Sequence, residues 1–290
     1  MPTPTDLRRD FIKAFERLTH SRERYDVWAD FLEMAFCATR KRALPPSPEA
    51  DAIEARYTAA EKRHTPEDVR VMGTLLGMTA LAMMDGGCDF LGQVAVELEL
   101  RSDHMGQFFT PYDLSRMMAE MTFDTVGEVI AEQGFVTVQE PACGAGGMII
   151  AAADALERRG FDIGQHLYVV GIDVSSMCFR MAYIQTSLRG IPATIVRGNT
   201  LSGEVFEQAV TPAFFPFYAA NREAFDGWQR GEGRGGKASP DAEITQHGAE
   251  AEPSQPEQPA AAPESRSSPQ RPNVKPTTYT RQPSLFDDGP

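Results

Sequence analysis

The spacing of hydrophobic positions changes character along the chain. In YDVWADFLEMAFCATRK, from Tyr25, the apolar Val27, Phe31, Leu32, Ala35 and Phe36 recur at helical intervals and so share one face. LPPSPEA from Leu44 breaks that pattern, and a second, charged helix follows up to His64. TPEDVRVM opens another: Thr65 is placed to cap it, Pro66 suits its first turn, and Glu67 and Asp68 lie at the positive end of its dipole. The apolar run VMGTLLGMTALAMM from Val71 falls short of the roughly 20 residues of a membrane helix and reads as a buried core helix. Residues 1–104 are therefore expected to form a helical region, with no membrane partner.

From Phe135 short β-rich runs alternate with helical ones. FVTVQ, GMIIAAADALERRG, LYVVGIDV, SSMCFRMAYIQTSLRG and ATIVRGN spell strand, helix, strand, helix, strand. Each helix ends in Arg-Gly, at Gly160 and Gly190, as a left-handed C-terminal cap requires. The strands are continuously apolar, which predicts parallel strands covered on both faces and an α/β fold. This second region is assigned to residues 105–228. Beyond Trp228 the chain becomes rich in Pro, Ala, Glu, Gln and Ser, and residues 229–290 are expected to be a disordered tail.

Composition narrows the classes. The net charge of −13 over 290 residues excludes an indiscriminate nucleic-acid binder, so any DNA contact has to be local or borrowed. Cys37, Cys88, Cys143 and Cys178 are far apart with no paired spacing and no His at metal-ligand distance, so neither a metal site nor a disulfide framework is indicated. A reducing cytoplasmic setting fits, and the N-terminus lacks the apolar stretch of a signal peptide. Cys143 has no His placed to activate it and reads as a small filler, not a nucleophile.

The loop QEPACGAGGM, residues 139–148, carries the candidate chemistry. Glycines between a strand and a helix present backbone N–H groups to a polar ligand. Gly144-Ala145-Gly146-Gly147 departs from the dinucleotide fingerprint G-x-G-x-x-G, and no G-K-[ST] follows. Glu140-Pro141 at the strand end repels pyrophosphate and favours an ammonium group. The next strand ends in Asp173, placed to accept hydrogen bonds from ribose hydroxyls, and the third ends in Gly198-Asn199-Thr200-Leu201, where Asn199 can meet an adenine edge. Ammonium, ribose and adenine together describe S-adenosyl-L-methionine. Upstream, in GQFFTPYDLSRMMAEM, Thr110 is expected as N-cap, Pro111 at the first helical position and Asp113 at the third, giving free N–H groups for the ligand's carboxylate.

In this order these elements resemble the N6-adenine DNA methyltransferases, in particular the modification subunit of type I restriction-modification systems. The resemblance covers roughly residues 89 to 201, including DFLGQVAVELEL ahead of GQFFTP. It implies a Rossmann-like S-adenosylmethionine-dependent methyltransferase fold behind an N-terminal helical region, with DNA as substrate and a specificity subunit as partner. By the same resemblance Phe108, Phe109, Thr110 and Pro111 wrap the methionine end, Glu140, Pro141, Gly144, Gly146 and Gly147 hold its amino group, and Asp173, Val174 and Asn199 the nucleoside.

One part of the family pattern is missing. Its members carry N-P-P-[F/Y] after the fourth strand, where the amide holds the target amino group and the ring stacks on a flipped base. Here TPAFFPFY, from Thr211, offers Pro216, Phe217 and Tyr218 for stacking, with no amide before the proline. No catalytic residue is therefore assigned. Phe135 to Trp228 is also too short for about seven strands at about 30 residues per βα unit, so the rest of the sheet is expected to be absent or supplied by a partner. A catalytically inactive relative, acting as a DNA- or sliding-clamp-associated adaptor or regulator, is the alternative expectation. In the tail, Gln282-Pro283-Ser284-Leu285-Phe286 resembles the peptide by which bacterial proteins dock on the sliding clamp, with Gln282, Leu285 and Phe286 as anchors.

Overall fold

The computed structural model describes residues 3–19, 22–84, 86–100 and 110–230. Five helices come first: α1 (Pro4–Glu16), α2 (Arg24–Lys41), α3 (Pro48–Glu61), α4 (Pro66–Met83) and α5 (Phe90–Glu97). The α4 start follows the sequence closely, because Thr65 and Asp68 cap each other reciprocally ahead of Pro66. One feature of α4 differs from expectation. Met72, Leu75, Thr79, Ala82 and Met83 are buried, but Leu81 and Met84 are exposed, so the apolar run buries one face instead of its whole circumference. The small residues Gly73 and Gly77 lie on the outer side with nothing against them among the described residues, which leaves that face uncovered.

Two helices, α6 (Tyr112–Thr122) and α7 (Val126–Gln133), lead into an alternating segment: β1 (Val136–Glu140), α8 (Gly147–Arg158), α9 (Ile163–His166), β2 (Leu167–Asp173), α10 (Ser176–Arg189) and β3 (Ala193–Asn199). These strands are parallel in the order β1-β2-β3. A fourth, β4 (Glu204–Val210), returns antiparallel to β3, and α11 (Phe214–Gln229) follows. Helices α8 and α10 are followed by Gly160 and Gly190 with φ of 84° and 76°, the left-handed terminations read from Arg-Gly.

The alternation along β2 shows how the sheet is covered. Leu167 and Val169 join the main core with Ile149 of α8 and Tyr183 of α10, while Tyr168 and Val170 face an aromatic cluster of Phe135, Phe214, Phe217 and Phe225 under α11. Burial on both faces explains why these strands read as unbroken apolar runs. The main core is continuous from Leu7 and Phe11 of α1 to Ala209 of β4. Phe36 of α2 packs on Tyr183 and Phe179 of α10, with ring centroids 4.8 and 5.4 Å apart. Arg56 of α3 adds a polar clasp, donating to Glu33 of α2 and to Glu207 of β4, each at 2.7 Å. Among the described residues no helix is long and apolar enough to cross a membrane.

Candidate cofactor site

β1 brings Glu140 and Pro141 to the carboxyl edge of the sheet, and the chain turns through Cys143–Gly146 into α8. That turn depends on glycine, since Gly144 and Gly146 have φ of 54° and 97°, a region costly for L side chains. Cys143 ties the turn to the neighbouring strand by donating its N–H to Ile172 O at 2.8 Å. Its thiol is buried and its pKa is pushed up by that burial, as suits a filler.

Asp173, at the end of β2, faces the same turn. Its Oδ2 accepts the Gly144 N–H at 2.9 Å and its Oδ1 accepts the Ser175 N–H at 2.8 Å, so one carboxylate pins the glycine turn and opens α10. Glu140 Oε1 accepts the Ala142 N–H at 3.3 Å. Burial pushes both carboxyls above their ordinary pKa. At Asp173 the Ser175 and Gly144 N–H groups and the Cys178 side chain oppose this; at Glu140 the Ala142 N–H does. No cation offsets either of them among the described residues. Two half-buried acids without a positive partner favour a cationic ligand and repel a phosphate.

Asn199 closes the third side. Its Oδ1 accepts the N–H groups of Leu201 at 3.0 Å and Ser202 at 3.3 Å, which commits the side-chain carbonyl to its own turn. Thr200 Oγ1 donates to Pro141 O at 2.6 Å and so docks the tip of β3 onto that of β1. Val174, beside Asp173, is exposed. Glu140, Pro141, Gly144, Gly146, Gly147, Asp173, Val174 and Asn199 therefore gather at the carboxyl ends of three adjacent strands.

Two readings of the sequence change here. Helix α6 begins at Tyr112 with Pro111 in the capping position, one residue later than expected, and no side chain caps it. Pro111 is extended at ψ 133°, so it precedes the helix, and Thr110 and Pro111 are both exposed. Phe108 and Phe109 lie outside the described residues, as do Gln282, Leu285 and Phe286. The larger correction concerns TPAFFPFY. Because β4 runs antiparallel, with Val210 opposite Thr194 and Glu204 opposite Asn199, this segment starts at the far end of the sheet, roughly 17 Å from the site at strand spacing. Phe217 is 0 % exposed and packs on Phe135 and Tyr168, so it is a core ring and not a base platform.

Behind the glycine turn lies a support that the motifs do not reveal. Asp89 caps α5, its Oδ1 accepting the Gly92 N–H at 3.0 Å. A Cβ on Gly92 would stand 2.1 Å from Asp89 Oδ2, and one on Gly147 would stand 3.2 Å from it, so the buried carboxyl is wedged between two glycines. Gln185 of α10 donates to Asp89 Oδ1 at 2.8 Å and to Ala145 O at 2.7 Å, and accepts the Leu91 N–H at 2.9 Å. DFLG at 89–92 is thereby explained as a cap that meets the glycine turn. The signal was a lone amide inside the apolar face of RMAYIQTSL.

The N-6 DNA Methylase family profile matches residues 91–227. The methylase subunit of the type I restriction enzyme MjaIX from Methanocaldococcus jannaschii is 29% identical over 106 residues, which is 37% of this chain and 17% of that relative. A solved structure from Listeria monocytogenes, assigned as a class I S-adenosylmethionine-dependent methyltransferase, aligns over 68% of this chain and 55% of its own at 16% identity, with a TM-score of 0.34. At that score the overlap carries no argument, and the fold rests on the strand order and register described above. Residues 91–227, just under half of the chain, are thus similar to the N-6 DNA Methylase family.

Proposed function

We propose that the site binds S-adenosyl-L-methionine and that the protein serves adenine-N6 methylation of DNA, in the cytoplasm and together with a partner such as a specificity subunit. The observation that carries this reading is the pair Glu140 and Asp173, two half-buried acids with no cation beside them among the described residues, on either side of a glycine turn. A sulfonium nucleoside with an ammonium group fits that charge, whereas a pyrophosphate does not. Glu140 and the Gly144–Gly147 turn would hold the amino group, Asp173 the ribose hydroxyls, and Val174 and the Asn199 amide the adenine. Thr110 and Pro111, at the open start of α6, would meet the methionine end.

When bound, the sulfonium supplies an activated methyl group. The protein's task is then alignment, and little acid–base chemistry is needed. No residue near the strand tips is assigned to hold the target amino group, since TPAFFPFY lies at the other end of the sheet. A partner that presents the adenine fits this arrangement. The adaptor alternative has no comparable support.

The test is incubation of the full chain with labelled S-adenosylmethionine and unmethylated DNA, with and without a candidate specificity subunit, and with Asp173→Ala as control. Label on adenine in the wild type, lost in the variant, is the expected result. Absence of calorimetric heat with S-adenosylmethionine for folded protein would overturn the proposal.

A further inference from the structure

Helices α6 and α8 are joined at both ends by polar contacts. Tyr112, the first residue of α6, donates its hydroxyl to Asp154 Oδ2 on α8. Eight residues on, Glu120 accepts from Arg158 at 2.6 Å and from Arg159 at 2.5 Å. Both pairs run forward along both helices, so α6 and α8 point the same way and their N-termini open at the same end. For α8 that end is the glycine turn.

Between the two contacts the helices meet through small residues, Ser115 at 0 % exposure and Ala119 at 2 %. The Ser115 hydroxyl is buried with no partner among the described residues, so it adds no second polar tie. Asp154 itself is 4 % exposed and is fixed from two further directions. It accepts the Gly87 N–H at 2.6 Å and pairs with Arg189 of α10 at 3.2 Å. A Cβ on Gly86 would lie 2.3 Å from its Oδ1, which shows how closely that backbone is folded over it. Asp154 sits seven residues into α8, about 10 Å from its start. It is a rigid post on the helix that the cofactor turn begins, and Tyr112 is the front of α6 tied to it.

We infer that Tyr112 and Asp154 form a positioning pair that fixes the open N-terminus of α6 facing toward the glycine turn, about 10 Å further along α8, and thereby the grip on the amino-acid end of the cofactor. This rests on the cofactor reading above and adds to it a residue pair that does not touch the ligand. A positioning role predicts a loss confined to ligands that possess the amino-acid end.

The experiment compares the full chain with Tyr112→Phe, measuring affinity for S-adenosylmethionine and for 5′-methylthioadenosine, which keeps the nucleoside and lacks the amino-acid portion. The variant keeps the ring and removes one buried hydroxyl. Expected is about a tenfold weaker S-adenosylmethionine affinity with methylthioadenosine unchanged within about twofold. Equal weakening of both ligands, or of neither, overturns the inference while leaving the cofactor reading intact. A wild type that binds neither ligand overturns both.

Discussion

Gln185 Nε2 donates to Asp89 Oδ1 at 2.8 Å across 96 residues of sequence, and the two side chains are 0 % and 4 % exposed. The same amide also serves Ala145 O and the Leu91 N–H, so three backbone or carboxyl groups depend on it. Replacing it with leucine takes that partner from the Leu91 N–H and Ala145 O and leaves the Asp89 carboxyl with the Gly92 N–H alone. Gln185→Leu is expected to lower unfolding stability by about 2–4 kcal/mol, read by urea denaturation. Asp89→Asn, which keeps a side-chain oxygen to accept from Gly92, is expected to cost less than half as much.

Asp173 links the strand tip to the glycine turn through the Gly144 N–H. Asp173→Ala removes both that tie and the acceptor proposed for the ribose. Affinity for S-adenosylmethionine is expected to fall by at least about tenfold by calorimetry, with far-UV circular dichroism unchanged. Retained affinity would remove Asp173 from the site.

Phe217 is a core residue. Truncation to alanine takes a ring out of the cluster of Phe135, Tyr168 and Phe225, at a cost of about 3–5 kcal/mol. Cofactor affinity of the fraction that remains folded is expected to match the wild type, because α11 begins at the opposite end of the sheet. A selective loss of methyl transfer with unchanged stability would contradict this placement.

Acid stability should depend on Asp30 of α2. Burial alone would raise its pKa, but hydrogen bonds from Arg63, Arg22 and His64 outweigh it and hold the carboxyl below 3.8. With a folded pKa below the unfolded one, the group's contribution is complete above about pH 4 and is lost as pH falls through the folded value. Denaturation midpoints measured from pH 7 down to pH 2.5 should fall more steeply for wild type than for Asp30→Asn at the acid end. The variant should be the less stable of the two at pH 7, where it leaves Arg22 and Arg63 short of a partner.

The parallel half of the sheet was legible because its elements carry local signals. ATIVRGN became β3 without a shift, LYVVGIDV became β2 less its last residue, and FVTVQ became β1 one residue later. Arg-Gly marked both helix ends because a left-handed cap favours glycine whatever surrounds it. The clustering of Glu140, Asp173 and Asn199 followed from strand order, since parallel neighbours place successive carboxyl ends side by side. What escaped was set by tertiary partners. β4 pairs back onto β3 with half-exposed EVFEQAV, which has no long apolar run. That reversal moved TPAFFPFY to the wrong end, and no local pattern announces the direction of a returning strand. Asp89, Tyr112, Asp154 and Gln185 have their meaning in contacts far apart along the chain. The buried amide of Gln185 was nevertheless a usable sign, because an unpaired amide in an apolar face is costly.

Arg56 reaches from α3 to Glu33 on one side and Glu207 on the other, while Arg180 of α10 holds Glu33 at 2.5 Å. Cutting the chain ahead of α6 would part Arg56 from Glu207 and Arg180 from Glu33 and bare the rings on which Phe36 rests. The half that carries the candidate site is consequently not a cassette to be shuffled or expressed by itself. Transplants and chimeras will have to carry the leading helices as part of the inheritance.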